Sequence, residues 1–148
     1  NYDRREHGPV RAREALASSF NIPAVLLADQ LGVPAVLNTL RSAGFASLTR
    51  SAEHYGLGLA LGSGDVSLIE LANGYRTFMN GGVWRPIRVD ADATPGDSSV
   101  RVVSAGAAAL VLDVLSDPVA RIAGFGEDTP FDFAFPTAVK TGTSRHFT

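Results

Sequence analysis

The chain has no cysteine, a single lysine and no long apolar run, and each absence excludes something. Without cysteine there are no disulfides and no thiol chemistry, although this leaves the compartment open. No apolar run approaches the roughly 18 residues that cross a bilayer, and the amino terminus lacks the layout of a signal peptide. The three histidines, His7, His54 and His146, lie too far apart for metal-ligand spacing. We therefore expect no metal and no cofactor.

The charge pattern argues against a nucleic-acid partner. The formal net charge is −2, and the arginines are not clustered with interleaved aromatic residues. The length of 148 residues and the hydrophobic share of 45% fit one compact domain or part of one. Because the chain opens directly at Asn1 and stops shortly after Thr143, where a strand is expected to turn, we expect an excised piece of a longer protein.

Lys140 is the only lysine beside twelve arginines. A guanidinium stays charged and forms a planar fork, whereas an ammonium is a compact donor whose pKa shifts readily when it is partly buried. An ammonium here can share a proton with a neighbouring hydroxyl or hold an anionic group. The alternative is a chance occurrence in an arginine-biased sequence.

The residues before Lys140 predict a strand. Residues 133–139 are apolar, rich in aromatic and branched side chains and without helical periodicity. Gly142 then removes a side chain where another backbone or a ligand can approach closely. The functional interpretation is a strand edge that pairs with an extended peptide substrate, and the alternative is the end of a surface hairpin.

The rest of the chain predicts helices around a small sheet. Proline, glycine and capping signals predict helices over residues 10–18, 23–31, 33–43 and 67–79, and one capped by Ser104 and stopped by Asp117. Residues 84–89 predict an edge strand, 53–65 an irregular connection, and 91–99 and 124–130 loops. The expected fold class is α/β in the α+β sense, with helices packed on an incomplete small antiparallel sheet.

Two side-chain placements follow from the same patterns. Leu26 and Leu27 are expected on the buried side of the second helix, and residues 67–79 show the clearest amphipathic stripe, which includes Leu68. Ser19 and Asn21 fall in a tight turn between the first two helices, because the residue before Pro23 avoids the helical region. The structural alternatives are a helix-cap contact for Ser19 and a turn-stabilising side chain for Asn21.

Two motifs then carry a family resemblance. A serine-x-asparagine turn at Ser19-Phe20-Asn21 precedes a lysine-threonine-glycine segment at Lys140-Thr141-Gly142-Thr143, and this pair resembles the transpeptidase domain of penicillin-binding proteins and their β-lactamase relatives. Residues 13–25 and 57–67 look like class A, bifunctional penicillin-binding proteins, and residues 7–10 and 140–144 look like their type C branch. The resemblance covers essentially the whole chain.

The resemblance implies a β-lactamase/transpeptidase-like fold and an acyltransferase function. The parent enzyme would cross-link peptidoglycan stem peptides through a serine acyl-enzyme and would bind β-lactams. Ser19, Asn21 and Lys140 would be catalytic. The residues Thr141, Gly142, Thr143 and Ser144 would bind substrate, with the Thr143 hydroxyl on the substrate carboxylate and its backbone N–H on the oxyanion. An upstream glycosyltransferase domain and an anchor at the outer face of the cytoplasmic membrane or periplasm are also implied.

One departure from the family pattern matters. The serine-x-x-lysine nucleophile motif is absent, because the only lysine is Lys140. We expect the nucleophile upstream of Asn1, so that residues 1–148 form a partial transpeptidase domain. A catalytically inactive scaffold, a β-lactam sensor and a serine β-lactamase are the alternatives. Cut sheet edges also predict swapped or intermolecular strand pairing.

Overall fold

This computed structural model describes residues 6–88, 98–131 and 133–142. Within these ranges the α-helices are α1 Ala12–Ala17, α2 Asn21–Leu31, α3 Val33–Ser42, α4 Ala52–Tyr55, α5 Leu68–Met79, α6 Ala105–Ser116 and α7 Ile122–Phe125. Two 3₁₀ turns cover Gly56–Leu61 and Val119–Arg121, and two strands cover Val83–Trp84 (β1) and Val100–Arg101 (β2). The predicted class, helices around a small antiparallel sheet, is confirmed.

The sheet consists of β1 and β2 in antiparallel register, with Val83 opposite Arg101 and Trp84 opposite Val100. The strand predicted over residues 84–89 is therefore much shorter than expected. The next carbonyl, that of Arg85, accepts from Asn73 Nδ2 at 3.1 Å and from an Arg76 nitrogen at 2.6 Å. Side chains of α5 thus donate to a backbone carbonyl that would otherwise accept from a neighbouring strand. Residues 89–97, including most of the predicted loop, lie outside the described residues.

The helix ends follow the sequence signals closely. Ser67 forms a capping box with Glu70, and the Ser104 hydroxyl accepts from the Ala107 N–H at 3.1 Å. One boundary was wrong: α2 begins at Asn21, so Asn21 is helical and does not lie in the turn. Pro23 is tolerated because it falls in the first helical turn, where its missing N–H has no intrahelical acceptor.

Two connections are more helical than the sequence suggested. The glycine-rich segment over residues 53–65 was predicted as irregular, but it contains the end of α4 and the 3₁₀ turn Gly56–Leu61. Gly124 was assigned to a loop and lies in α7 instead. In each case packing against other segments outweighs the low helix propensity of glycine.

The core centres on Leu37, Leu48 and Leu59, with Phe45 and Tyr55 packed around them. The expected buried side of α2 was wrong, since Leu26 and Leu27 are 57% and 56% exposed and α2 buries Ala28. The stripe on α5 is likewise open, with Leu68 82% exposed. Helix α5 packs instead through small and polar residues, Asn73, Gly74 and Thr77. Hydrophobic spacing identified the helices, but the buried face depends on which elements lie beside them.

Among the described residues, no single helix is both long and apolar enough to cross a bilayer. Helices α2 and α3 reach that length and hydropathy only as a pair, and they meet at an angle of 96°.

Glu70 ties the start of α5 to the segment after α3. Its carboxylate accepts from the Ser47 hydroxyl at 2.7 Å, the Ser47 N–H at 2.8 Å and the Ser67 N–H at 2.9 Å. These hydrogen bonds, with the Ser47 hydroxyl contributing most, lower the pKa of Glu70 to about 2. The ionised carboxylate is therefore the form that stabilises the fold.

Replacing Glu70 by glutamine is expected to lower the free energy of unfolding at neutral pH. Because the folded-state pKa is depressed, the loss should be complete above the ordinary value of 4.5 and should shrink as the pH falls toward about 2. Urea unfolding of both chains between pH 2 and pH 7 measures this, with the exposed Glu127→Gln as the control. A loss that is independent of pH would contradict the role of the ionised carboxylate.

Candidate active site

The turn between α1 and α2 places Ser19 in an unusual backbone conformation. Helix α1 ends at Ala17, the Ser19 N–H donates to the Leu16 carbonyl at 3.2 Å, and the Phe20 N–H donates to the Ala15 carbonyl at 3.0 Å. These two bonds form a Schellman motif, whose left-handed position is usually glycine. Ser19 occupies it with a φ of 57° and is the only non-glycine residue with positive φ in the described part of the chain. A side chain held there costs about 1 kcal/mol or more, so the turn carries the Ser19 hydroxyl at the expense of stability.

The side chain of Lys140, far along the chain from Ser19, hydrogen-bonds to that hydroxyl. Its ammonium donates to Ser19 Oγ at 2.5 Å and to the Thr141 carbonyl at 2.9 Å. The side chain is half-buried, and this desolvation lowers the pKa of Lys140. No carboxylate of the described ranges forms an ion pair with it. An ammonium has three protons to donate, so within the described part of the chain one is left for a further acceptor.

The segment leading to Lys140 is not a strand, and this prediction was wrong. Residues 134–142 have no ladder hydrogen bonds in the described part of the chain. The Val139 N–H donates instead to the carbonyl of Leu115, in the last turn of α6, at 2.9 Å. An extended segment becomes a strand only when another strand lies beside it, and the two-stranded sheet forms elsewhere. The carboxyl end of α6, and not a neighbouring strand, therefore positions the residue before Lys140.

The remaining expected site residues fall at several places. Asn21 is half-buried at the first position of α2, and Thr141 is also half-buried. Gly142 is exposed, and a Cβ built on it would meet no atom within 4 Å, so a ligand can approach its backbone. Thr143 and Ser144 lie outside the described residues.

Three residues that support the site were not found from the sequence. The buried Ser18 donates from its hydroxyl to the Ala120 carbonyl at 3.2 Å, and Gly124 lies directly against the Ser18 backbone. The Leu115 carbonyl holds Val139. The signal in the sequence is Gly124 inside an apolar segment, which predicts a loop and not a packing contact. Near the same turn, the exposed His7 ring stacks on buried Phe20 with 4.1 Å between ring centroids.

The Ser19 hydroxyl, held by a strained backbone, and the desolvated Lys140 ammonium can together move protons and attract an anion. A hydroxyl within hydrogen-bond reach of an ammonium of lowered pKa is suited to general acid–base work. The third ammonium proton is suited to a carboxylate. In the described ranges, no group of three or more histidine, aspartate or glutamate side chains is arranged to bind a metal.

Comparison with known proteins gives a consistent result. The family model of the penicillin binding protein transpeptidase domain matches residues 1–148. Penicillin-binding protein 1C of Escherichia coli is 29% identical over 97% of the chain, and penicillin-binding protein 1B of the same organism is 31% identical over 99%. Penicillin-binding protein 1A of Aquifex aeolicus is 39% identical over 54% of the chain.

The chain spans only 18% of the length of the two Escherichia coli relatives and 10% of the Aquifex aeolicus protein. No solved structure matches the chain significantly. The match to the family model covers every residue, and the helix-rich structure with its small antiparallel sheet fits the β-lactamase/transpeptidase fold of that family. The chain therefore belongs to the penicillin-binding protein transpeptidase domain family.

Proposed function

We propose that the chain contributes the Ser19 and Lys140 side of a D,D-transpeptidase site in a longer, class A penicillin-binding protein. This protein would cross-link peptidoglycan stem peptides and bind β-lactams. The observation that carries the proposal is the 2.5 Å contact between Lys140 Nζ and Ser19 Oγ, which joins residues 121 positions apart. This contact between one residue of each family motif supports a shared site.

The reaction consists of two acyl transfers. The hydroxyl of a serine upstream of the chain attacks the carbonyl carbon of the D-alanyl-D-alanine peptide bond, and the terminal D-alanine leaves as an amine after accepting a proton. The amine of a second stem peptide then attacks the ester carbonyl, and the serine oxygen leaves and regains its proton. A β-lactam would acylate the same serine by opening its ring.

Each candidate site residue has a role in this scheme. Lys140 directs its third proton to the substrate carboxylate and polarises the Ser19 hydroxyl, and Ser19 passes a proton to the leaving amine. Asn21 orients the lysine of the nucleophile motif and the substrate peptide group. Thr141 and Gly142 shape the segment beside the substrate. The Thr143 hydroxyl donates to its carboxylate and the Thr143 backbone N–H to the oxyanion, and Ser144 also binds the substrate.

The setting of the parent is part of the proposal. It would act at the outer face of the cytoplasmic membrane or in the periplasm, held by an anchor outside this chain and preceded by a glycosyltransferase domain. Type C proteins are the expected branch. The exposed leucines of α2 and α5 and the short sheet support a partial domain, whose missing elements would cover them. In isolation, the chain would pair its open sheet edges with another copy.

Fluorescent penicillin tests the function in the longer protein that carries this chain. We expect stable covalent labelling, which disappears when the serine of an upstream serine-x-x-lysine motif is replaced by alanine. A folded protein that takes no label would favour the inactive scaffold, and a label lost within seconds would favour a β-lactamase. Mass spectrometry of the labelled peptide identifies the serine independently.

A further inference from the structure

We infer that residues 115–124 form a positioning platform, in which Gly124 and the Leu115 carbonyl hold Ser19 and Lys140 at their contact distance. The platform consists of the end of α6, the 3₁₀ turn Val119–Arg121 and the first part of α7. Its effect on catalysis rests on the proposed function. Its effect on the Ser19–Lys140 contact does not.

The Ser19 side of the platform is a close backbone contact. A Cβ built on Gly124 would lie 2.6 Å from the Ser18 carbonyl oxygen and 2.7 Å from Ser18 Cβ, so only glycine fits without displacing the turn. Gly124 does not have a positive φ, and space is therefore the reason for glycine at this position. The bond from the Ser18 hydroxyl to the Ala120 carbonyl fixes the same turn one residue before Ser19.

The Lys140 side of the platform is a single carbonyl. The Leu115 oxygen lies in the last turn of α6, where helix carbonyls lack intrahelical donors, and it accepts the Val139 N–H at 2.9 Å. Buried Arg121 approaches the same oxygen at 3.5 Å. A cation near the carboxyl end of a helix is electrostatically favourable. The residue directly before Lys140 is thereby held by α6.

The two sides are joined into one unit. Arg13 of α1 forms ion pairs with Asp113 of α6 and, at 3.0 Å, with Asp117. The other Asp117 oxygen accepts the Val119 N–H at 2.9 Å and so caps the 3₁₀ turn. Displacement of Gly124 from Ser18 is therefore expected to move Ser19 relative to a Lys140 that stays with α6. Ser18 and Gly124 are positioning residues, since the hydrogen bonds of the Lys140 ammonium among the described residues go to Ser19 Oγ and the Thr141 carbonyl.

The test compares Gly124→Ala with Gly106→Ala. Gly106 is also a helical glycine without positive φ, but a Cβ built on it meets nothing within 4 Å, which makes it a matched control. Lys140 is the only lysine, so the 148-residue chain grown with lysine ¹³C-labelled at Cε gives one side-chain signal. We expect its titration midpoint to rise in Gly124→Ala and to stay unchanged in Gly106→Ala, because the ammonium regains water when Ser19 moves away.

Acylation kinetics of the longer protein provide the second measurement. We expect Gly124→Ala to lower the first-order acylation constant for penicillin roughly 10²-fold with little change in the initial binding constant, since misplacement by about 1 Å has effects of this size. Gly106→Ala should stay within about twofold of the wild type. Circular dichroism of both variants checks that the fold is retained.

If Gly124→Ala does not fold, Ser18→Ala tests the platform by the same two measurements. It removes the hydrogen bond to the Ala120 carbonyl without adding volume, and we expect a smaller rise of the Lys140 midpoint and a smaller fall in acylation. Unchanged midpoints in the folded variants would overturn the inference. Wild-type protein that takes no penicillin, with the midpoints shifted as expected, would refute the proposed function and leave the platform standing.

Discussion

Lys140→Met is expected to lower the acylation rate of the longer protein by about 10²–10³-fold, the usual effect of removing one preorganised donor from a site of developing charge. Methionine keeps an unbranched, flexible side chain, one heavy atom shorter, but has no proton to give to Ser19 Oγ or to a substrate carboxylate. The ammonium donates to Ser19 Oγ, and it is proposed to bind the substrate carboxylate as well. The effect should therefore appear in the chemical step as well as in binding. Rates of labelling by fluorescent penicillin at several concentrations separate the two.

Lys140→Arg is the sharper half of this test. Arginine keeps the positive charge, but its planar fork stays protonated and cannot occupy the half-buried position of a compact ammonium without rearrangement. We expect it to recover part of the binding and little of the acylation rate. Full activity of Lys140→Arg would mean that charge alone is needed, and the proton-sharing role of Lys140 would then be wrong.

The pH dependence of stability follows from the same group. Burial lowers the pKa of Lys140, so between this lowered value and the ordinary 10.5 the unfolded chain binds more protons than the folded chain. The contribution of Lys140 to the free energy of unfolding therefore rises with pH through that window. Below the window the folded state carries the full cost of burying the charge. Lys140→Met has no group that titrates here, so the pH dependence of the difference in urea midpoints between the two chains measures the effect of the buried lysine.

The sequence predicted those parts of the fold that depend on local chemistry. Ser67 and Ser104 cap their helices because a serine oxygen can accept the free N–H groups of a first turn, and this requires no distant contact. The strand before Lys140 was wrong because a strand depends on a neighbour, and Val139 bonds to a helix carbonyl instead. The open face of Leu68 has the same origin, since spacing gives the stripe but not the element that covers it.

The candidate site shows the same division. The pairing of Ser19 with Lys140 was expected from the family resemblance and not from spacing, because nothing local in the sequence links two residues 121 positions apart. Gly124 was missed because the reason for glycine is the backbone of Ser18, a partner that only folding supplies. The positive φ of Ser19 was hidden in the same way, since serine is not the residue that this conformation favours.

That positive φ leads to the second large effect. Ser19→Gly is expected to lower acylation by about 10²-fold, because it removes the hydroxyl proposed to carry the proton to the leaving amine. The same change should raise the free energy of unfolding by up to about 1 kcal/mol, since glycine adopts a left-handed φ without steric cost. Loss of the hydrogen bond from Lys140 reduces this gain. Penicillin labelling of the longer protein and urea unfolding of the chain measure the two effects.

Ser19→Ala separates the hydroxyl from the backbone. Alanine also lacks the hydroxyl but keeps a Cβ in the left-handed conformation, so its acylation should match that of Ser19→Gly while its stability is lower by about 1 kcal/mol. If Ser19→Ala acylates much more slowly than Ser19→Gly, the backbone of the turn and not the hydroxyl limits the rate. A Ser19→Gly protein with wild-type acylation would remove Ser19 from the mechanism. Activity lost together with stability gained is the combination expected of a side chain kept for chemistry at the expense of the fold.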